Sequence, residues 1–341
     1  GAALQMFCVS VLLMFVSYSQ HSGPLLELSH EYYPVFRCMF FISFFFSLYG
    51  GVIFIWRRAK IEYRSVLGVG SSHTYQYVLR GAASSAIVMF TCFMLYVLTL
   101  TGGLEGLKLP RDKIKHLWPA LAFLVPLFMF FCPYESITQL FFGDARRSYT
   151  QRMGLVSNLI AVLFSPLSKV TFLRSFIADI LCSMPKVFTD FQYTLCIYTT
   201  GTFWDVHNEW LANTSMHAYD TCGSGSIIYV WLLSLLSFVP YYIRLMQSLR
   251  MWIDTGESKH LFNGLKYTMS LSVTGIALAH KVYPSIPYLD TLWFCVSILT
   301  TGYAFYWDVI MDWGLGETKC SYIFLREQLY FQPHTYYTAI V

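Results

Sequence analysis

Residues Tyr306-Trp307-Asp308-Val309-Ile310-Met311-Asp312-Trp313-Gly314 decide how this chain is read. They close the apolar segment Leu289–Met311, which is long enough for one bilayer crossing, and they place two carboxylates four residues apart at its end. An ionisable side chain at membrane depth is costly and marks a candidate functional site. Four residues is also one helical turn, so Asp308 and Asp312 are expected to share a face. Trp307 and Trp313 fit interfacial aromatic anchors, which would leave Asp308 buried and Asp312 at the boundary.

The composition around this stretch agrees with a membrane setting. Of 341 residues, 56% are hydrophobic, 18% aromatic and 12% charged, whereas a soluble domain carries about 25% charged residues. Mean hydropathy is +0.50. The formal charge of +4 is small, and the basic residues sit in short runs beside apolar segments, which excludes a nucleic-acid patch. The nine cysteines include no C-x-x-C pair, and most lie in apolar runs as small hydrophobes, so no metal or redox site is expected. Gly1 is not an initiator Met, and the chain reads as a fragment or a processed form.

Further candidate spans lie at Ala2–Tyr18, Pro34–Trp56, Ala82–Thr101, Leu117–Phe131, Phe172–Tyr198, Ile227–Leu249 and Tyr267–Ala279. Arg57-Arg58-Ala59-Lys60, the run Arg146, Arg147 and Arg152, and the turn Arg250–Thr255 mark cytoplasmic ends. Gly154–Val170 is short, broken by Pro166, and reads as an amphipathic helix lying in the interface. The loop Thr200–Ser226, with a glycosylation sequon at Asn213, falls on the opposite side. The expected fold class is all-α: a polytopic transmembrane helical bundle of about seven or eight spans with one interfacial amphipathic helix.

Three further groups carry charge into apolar segments. Asp179, Cys182, Ser183, Lys186 and Asp190 follow i, i+3, i+4, i+7, i+11, one face of a continuous helix. They line a water-filled cavity, or Lys186 bridges the two acids and ties helices together. Lys266 stands beside Tyr267 near the start of its span, where snorkelling is the plain alternative. Arg244, Gln247 and Arg250 follow one another at the cytoplasmic end of another span, with Arg174 and Arg326 as further candidates. Arginine and lysine suit an oxyanion. Facing carboxylates weaken its binding enough for release and accept a hydrogen bond from a protonated oxyanion such as phosphate. The same pattern fits a cation-coupled carrier. No H-E-x-x-H, G-x-S-x-G or Walker A motif is present, and His207 and His217 lack metal-ligand spacing, so neither an enzyme nor a cofactor is expected.

The sequence resembles the EXS family, which includes the plant phosphate exporters and the animal phosphate exporter that doubles as a retrovirus receptor. The resemblance rests on Phe176-Ile177-Ala178-Asp179 with Asp190-Phe191-Gln192-Tyr193, on Arg244-x-x-Gln247-x-x-Arg250 with Asp254-Thr255, on Asn263-x-x-Lys266-Tyr267, on Trp307-Asp308-x-x-Met311-Asp312-Trp313-Gly314 and on Phe324-Leu325-Arg326-Glu327. Upstream of Leu155 the likeness is one of hydropathy alone. It implies N-terminal transmembrane helices over 1–153 and an EXS-type domain over 154–341. It also implies phosphate export along a pathway using Asp179, Lys266, Asp308 and Asp312. Cys182 stands where the family commonly has Asn or Thr. A final helix with an arginine and a tryptophan, and an N-terminal SPX domain sensing inositol pyrophosphates, belong to the family pattern but not to these 341 residues. The candidate phosphate-pathway residues are therefore Asp179, Cys182, Arg244, Arg250, Lys266, Tyr267, Asp308 and Asp312. The expected partners are inorganic phosphate and membrane lipids, with a homodimer or membrane complex as a further expectation. The setting is a plasma membrane or Golgi-type endomembrane. The alternative is a non-transporting EXS-like subunit or scaffold.

Overall fold

The computed structural model describes residues 32–70, 73–101, 103, 111–134, 137, 139, 148–199, 222, 227–317, 322, 324–329 and 332–340. The expected span Ala2–Tyr18 and the loop residues Asn213, His207 and His217 lie outside them. The described residues form helices and contain no strand. They fall into two units, 1–163 with 171–236 and 164–170 with 237–341. Among them, four helices are long and apolar enough to cross a membrane: Tyr33–Arg58, Tyr75–Leu100, Ile114–Phe131 and Tyr288–Asp312. The chain is thus an all-α membrane protein.

The first unit is built on α1 (Tyr33–Arg58), α2 (Tyr63–Leu67), α3 (Tyr75–Leu100), α4 (Arg111–Phe131), α5 (Ser148–Leu163), α6 (Phe172–Cys182) and α7 (Pro185–Thr199). Local chemistry sets the ends. Pro34 pre-organises the first turn of α1, and Arg57 and Arg58 face the negative end of its dipole. The Thr74 hydroxyl accepts the Tyr77 N–H and caps α3. In the core, α1, α3, α4 and α7 bring together Phe36, Tyr96, Ala122, Phe123, Tyr193 and Ile197. A Cβ on Gly50 would stand 2.7 Å from Leu79 Cδ2, so the glycine lets the Leu79 side chain of α3 pack directly on the α1 backbone.

The expected single helix Phe172–Tyr198 is two helices. α6 ends at Cys182, and Pro185 opens α7, because proline cannot supply the N–H that a continuous helix requires. Asp179 and Cys182 therefore belong to α6, Lys186 and Asp190 belong to α7, and the five-residue stripe does not form on one helix face. Asp190 has its own partners. Arg37 of α1 donates to both of its oxygens at 2.7 Å, and Lys186 Nζ lies 3.3 Å away. The Asp190 side chain is only 3% exposed. This bidentate pair satisfies a carboxylate in an apolar bundle and fixes α7 to α1.

Two further contacts depart from the sequence expectation. Arg152 is not in a basic loop: it is buried in α5 and donates to Phe130 O and Cys132 O, both at 2.6 Å, capping the last carbonyls of α4. Cys196 and Cys222 form a disulfide, where small buried hydrophobes were expected. The helix expected over Gly154–Val170 starts earlier, at Ser148, and ends at Leu163, ahead of Ser165-Pro166. The Tyr49 hydroxyl of α1 pairs at 3.0 Å with Nε2 of His73, which lies between α2 and α3.

The second unit holds α8 (Ile227–Thr255) from Ser237 onward, α9 (Lys259–Val282), α10 (Tyr288–Tyr306) and a π-helical segment, Trp307–Asp312. α11 (Pro333–Ile340) follows. α9 and α10 pack as an antiparallel hairpin joined by residues 283–287. Arg250 pairs with Asp254 one turn on, at 2.9 Å, and donates to Pro166 O at 3.3 Å, tying residues 164–170 to α8.

Two outcomes are expected. Asp190→Ala leaves Arg37 and Lys186 without their buried carboxylate and should cost about 3–5 kcal/mol, seen as a lower melting temperature of the detergent-solubilised protein. Burial first, and Arg64 second, pull the His73 pKa below its ordinary value of 6.5. The fold therefore holds this imidazole neutral. Its contribution is complete above pH 6.5 and is lost as pH falls below that value. The melting temperature should drop on acidification from that point, and His73→Gln should flatten the drop.

Candidate functional site

The site grows from three helices of the second unit. α9 begins in a polar stretch and carries Lys266 and Tyr267 one turn into its apolar part. Lys266 Nζ lies 3.0 Å from Asp308 Oδ1, so the first carboxylate of the opening motif meets its cation across the α9–α10 hairpin. The Lys266 side chain is 12% exposed and that of Asp308 is 50% exposed. The lysine is thus enclosed, while its carboxylate keeps an open flank. Lys266 Nζ also stands 5.1 Å from the centroid of the Tyr267 ring, a cation–π contact that shields the ammonium.

Tyr267 connects this pair to α8. Its hydroxyl accepts from Arg244 Nε at 2.9 Å, and Arg244 Nη1 donates to Gln247 Oε1 at 2.8 Å. Arg244, Gln247 and Tyr267 are all buried. Glutamine, arginine, tyrosine, lysine and aspartate therefore follow one another from α8 through α9 to the π-helical segment after α10. Buried polar groups on facing helices form such chains because each must be satisfied inside the protein.

The two acids of the motif separate. Residues 307–312 are π-helical, and Trp313 N bonds Asp308 O five residues back at 2.9 Å. Asp312 instead accepts from Trp307 Nε1 at 3.1 Å. Trp307 is accordingly not an interfacial anchor: at 6% exposed it is buried, while Trp313 is exposed. Gly314, at φ +62°, ends the segment in a left-handed turn.

Lys266, Tyr267, Asp308 and Arg244 thus share one network. Asp312 lies next to it through Trp307. Arg250 spends its donors on Asp254 and Pro166 O. Asp179, exposed, and Cys182, half-buried, belong to α6 of the first unit. Sequence reading missed Arg37, although an arginine in the apolar run Pro34–Trp56 is itself a signal for a buried acid elsewhere.

The sequence model of the EXS family matches residues 32–341. The chain belongs to the EXS family. Phosphate transporter PHO1 homolog 1 of Arabidopsis thaliana is 31% identical over 95% of this chain and 38% of that protein. Phosphate transporter PHO1 of the same plant is 24% identical over 99% of the chain and 40% of its own length. SPX and EXS domain-containing protein 1 of Dictyostelium discoideum is 27% identical over 97% and 34%. The chain spans about a third to two fifths of the length of these relatives. The EXS match reaches back to residue 32, through α1, α3 and α4, where the sequence showed hydropathy alone.

Removing the Tyr267 hydroxyl should leave the Arg244 Nε–H without that acceptor. Tyr267→Phe is expected to lower stability by about 1–3 kcal/mol, read as a shift in the melting temperature of the solubilised protein. Asp308→Asn should cost less than about 1 kcal/mol, because its carboxylate is half exposed.

Proposed function

We propose that this chain carries inorganic phosphate across a membrane, as an exporter, along a route lined by Lys266, Tyr267, Asp308 and Arg244 of the second unit, with Asp312 contributing. The observation that carries the reading is the Lys266–Asp308 pair, an enclosed ammonium held 3.0 Å from a carboxylate with an open flank, inside a family match that includes proteins named phosphate transporters.

The chemistry follows from the two charges. Phosphate oxygens compete with Asp308 for the Lys266 ammonium, so the anion enters by exchange and not by filling an unpaired charge. The displaced carboxylate can accept the proton-bearing hydroxyl of monohydrogen or dihydrogen phosphate, an interaction closed to a fully deprotonated anion. When phosphate leaves, Asp308 recovers its cation. Binding is therefore weak and reversible, as transport requires. Buried Arg244 sustains positive potential behind Tyr267, and its bond to the hydroxyl keeps the ring in place beside Lys266. The movement is passive or gated.

The disulfide supports one orientation of the chain. Cys196 and Cys222 cross-link in an oxidising compartment. The far end of α7 and residue 222 then face the lumen or the exterior, while the Arg57-Arg58-Ala59-Lys60 run faces the cytoplasm. Such a topology suits a plasma membrane or a Golgi-type endomembrane.

The test is phosphate efflux from proteoliposomes loaded with labelled phosphate and containing the full-length protein. Lys266→Ala and Asp308→Ala should each slow efflux at least about tenfold, the equivalent of one lost charged contact. Efflux that stays at the parental rate in both variants would remove the pair from the pathway. No efflux from the parental protein would overturn the reading.

A further inference from the structure

The hydroxyls of the α9–α10 hairpin divide into two kinds. On α9, Thr268, Ser270, Ser272 and Thr274 each donate to the carbonyl four residues back, at 3.0–3.1 Å. Their protons are spent within their own helix, and they offer only lone pairs to whatever passes. On α10, Ser297 Oγ and Thr300 Oγ1 are buried and have no hydrogen-bond partner among the described residues. Their protons are unspent. A buried hydroxyl in that state costs about 1–3 kcal/mol unless something accepts from it.

The geometry says where these two donors lie. Ser297, Thr300, Ala304 and Asp308 follow i, i+3, i+7 and i+11, one face of α10 continued into the π segment. The neighbouring side chains Phe294, Ile298 and Leu299 are exposed, whereas the two oxygens are not, so their face is the one covered by α9. On α9, Lys266, Ser270 and Thr274 follow i, i+4 and i+8. The Lys266–Asp308 bond, together with the Tyr303 hydroxyl on Phe262 O at 3.0 Å, pins the antiparallel register. Ser270 and Thr274 of α9 and the free α10 hydroxyls therefore fall along the same seam, leading away from the ion pair, whereas Ser272 is exposed and lies off it. Thr300 lies about 12 Å and Ser297 about 16 Å along the helix from Asp308, near the middle of the apolar segment.

We infer that Ser297 and Thr300 are further phosphate-contacting residues, which continue the route from the Lys266–Asp308 pair into the centre of the bilayer. The inference rests on the phosphate-export reading and deepens it. A phosphate oxygen leaving Lys266 must replace water as it moves inward, and two buried O–H donors accept that role without adding a charge that would trap the anion. The lone pairs of Ser270 and Thr274 serve the other half of the ligand, its P–O–H groups.

The experiment measures efflux of labelled phosphate from proteoliposomes with the full-length protein, its Asp308→Ala variant, the double variant Ser297→Ala/Thr300→Val, and Thr300→Ser and Ser272→Ala. Thr300→Val keeps the shape and removes the hydroxyl, whereas Thr300→Ser keeps the hydroxyl. The double variant should lose about tenfold in efflux rate, with Thr300→Ser and Ser272→Ala near the parental rate. If Asp308→Ala abolishes efflux but the double variant retains it, this inference fails and the export reading stands. If Thr300→Ser is as slow as the double variant, the site acts through packing and the inference also fails. If the parental protein moves no phosphate, the export reading itself fails. Equal melting temperatures of the solubilised variants show that a loss of rate is not a loss of fold.

Discussion

A charge carried into an apolar helix bundle needs its opposite, and this requirement governs the architecture more than any apolar contact does. Hydrocarbon offers no water to a carboxylate or a guanidinium, so each must be answered by protein. In the first unit the answer is Arg37 on Asp190, with Lys186 alongside. In the second it is Lys266 on Asp308, with Tyr267 and Arg244 behind it. The two pairs use the same chemistry for different ends. Asp190 is enclosed and takes both arms of an arginine fork, a geometry that locks α7 to α1. Asp308 meets a single lysine and keeps half its surface open, a geometry that can be exchanged for another anion.

Helix irregularity is placed where that exchange is proposed. α10 does not end in an ordinary cap but widens into the π-helical turn Trp307–Asp312. Within it the two acids of one short motif serve two partners: Asp308 reaches Lys266, and Asp312 takes the Trp307 indole. Gly316 completes the turn, because its φ of +90° is a conformation that L side chains rarely adopt. The α9–α10 hairpin extends the polar character upward from this point through hydroxyl groups, which carry hydrogen-bonding capacity through a membrane without the cost of charge.

Much of this was open to inspection in the sequence. Apolar runs of bilayer length, interrupted by basic loops, identify an all-α membrane protein. An acid at the end of Leu289–Met311 and a lysine in Asn263-x-x-Lys266-Tyr267 identify their helices as the polar ones. What misled was continuity. Phe172–Tyr198 reads as one span because hydropathy averages over Pro185, but the missing N–H divides it, and the five polar residues of the stripe separate onto two helices. Arg152 reads as a loop charge by its neighbours Arg146 and Arg147, yet it is buried against the last carbonyls of α4.

The sequence alone determined the class of the protein, the helices that carry ionisable groups and the identity of Lys266 and Asp308 as candidates, since all three depend on residue type and local spacing. Tertiary structure alone decided who pairs with whom. Arg37 lies 153 positions from Asp190, and Lys266 lies 42 from Asp308. Cys196 joins Cys222 across 26 positions that local pattern does not relate. Periodicity reports which face of a helix a side chain occupies, but not which helix will cover that face. That choice is made by close packing, by the fit of one ridge of side chains against another, and by the need of each buried charge for an answering one.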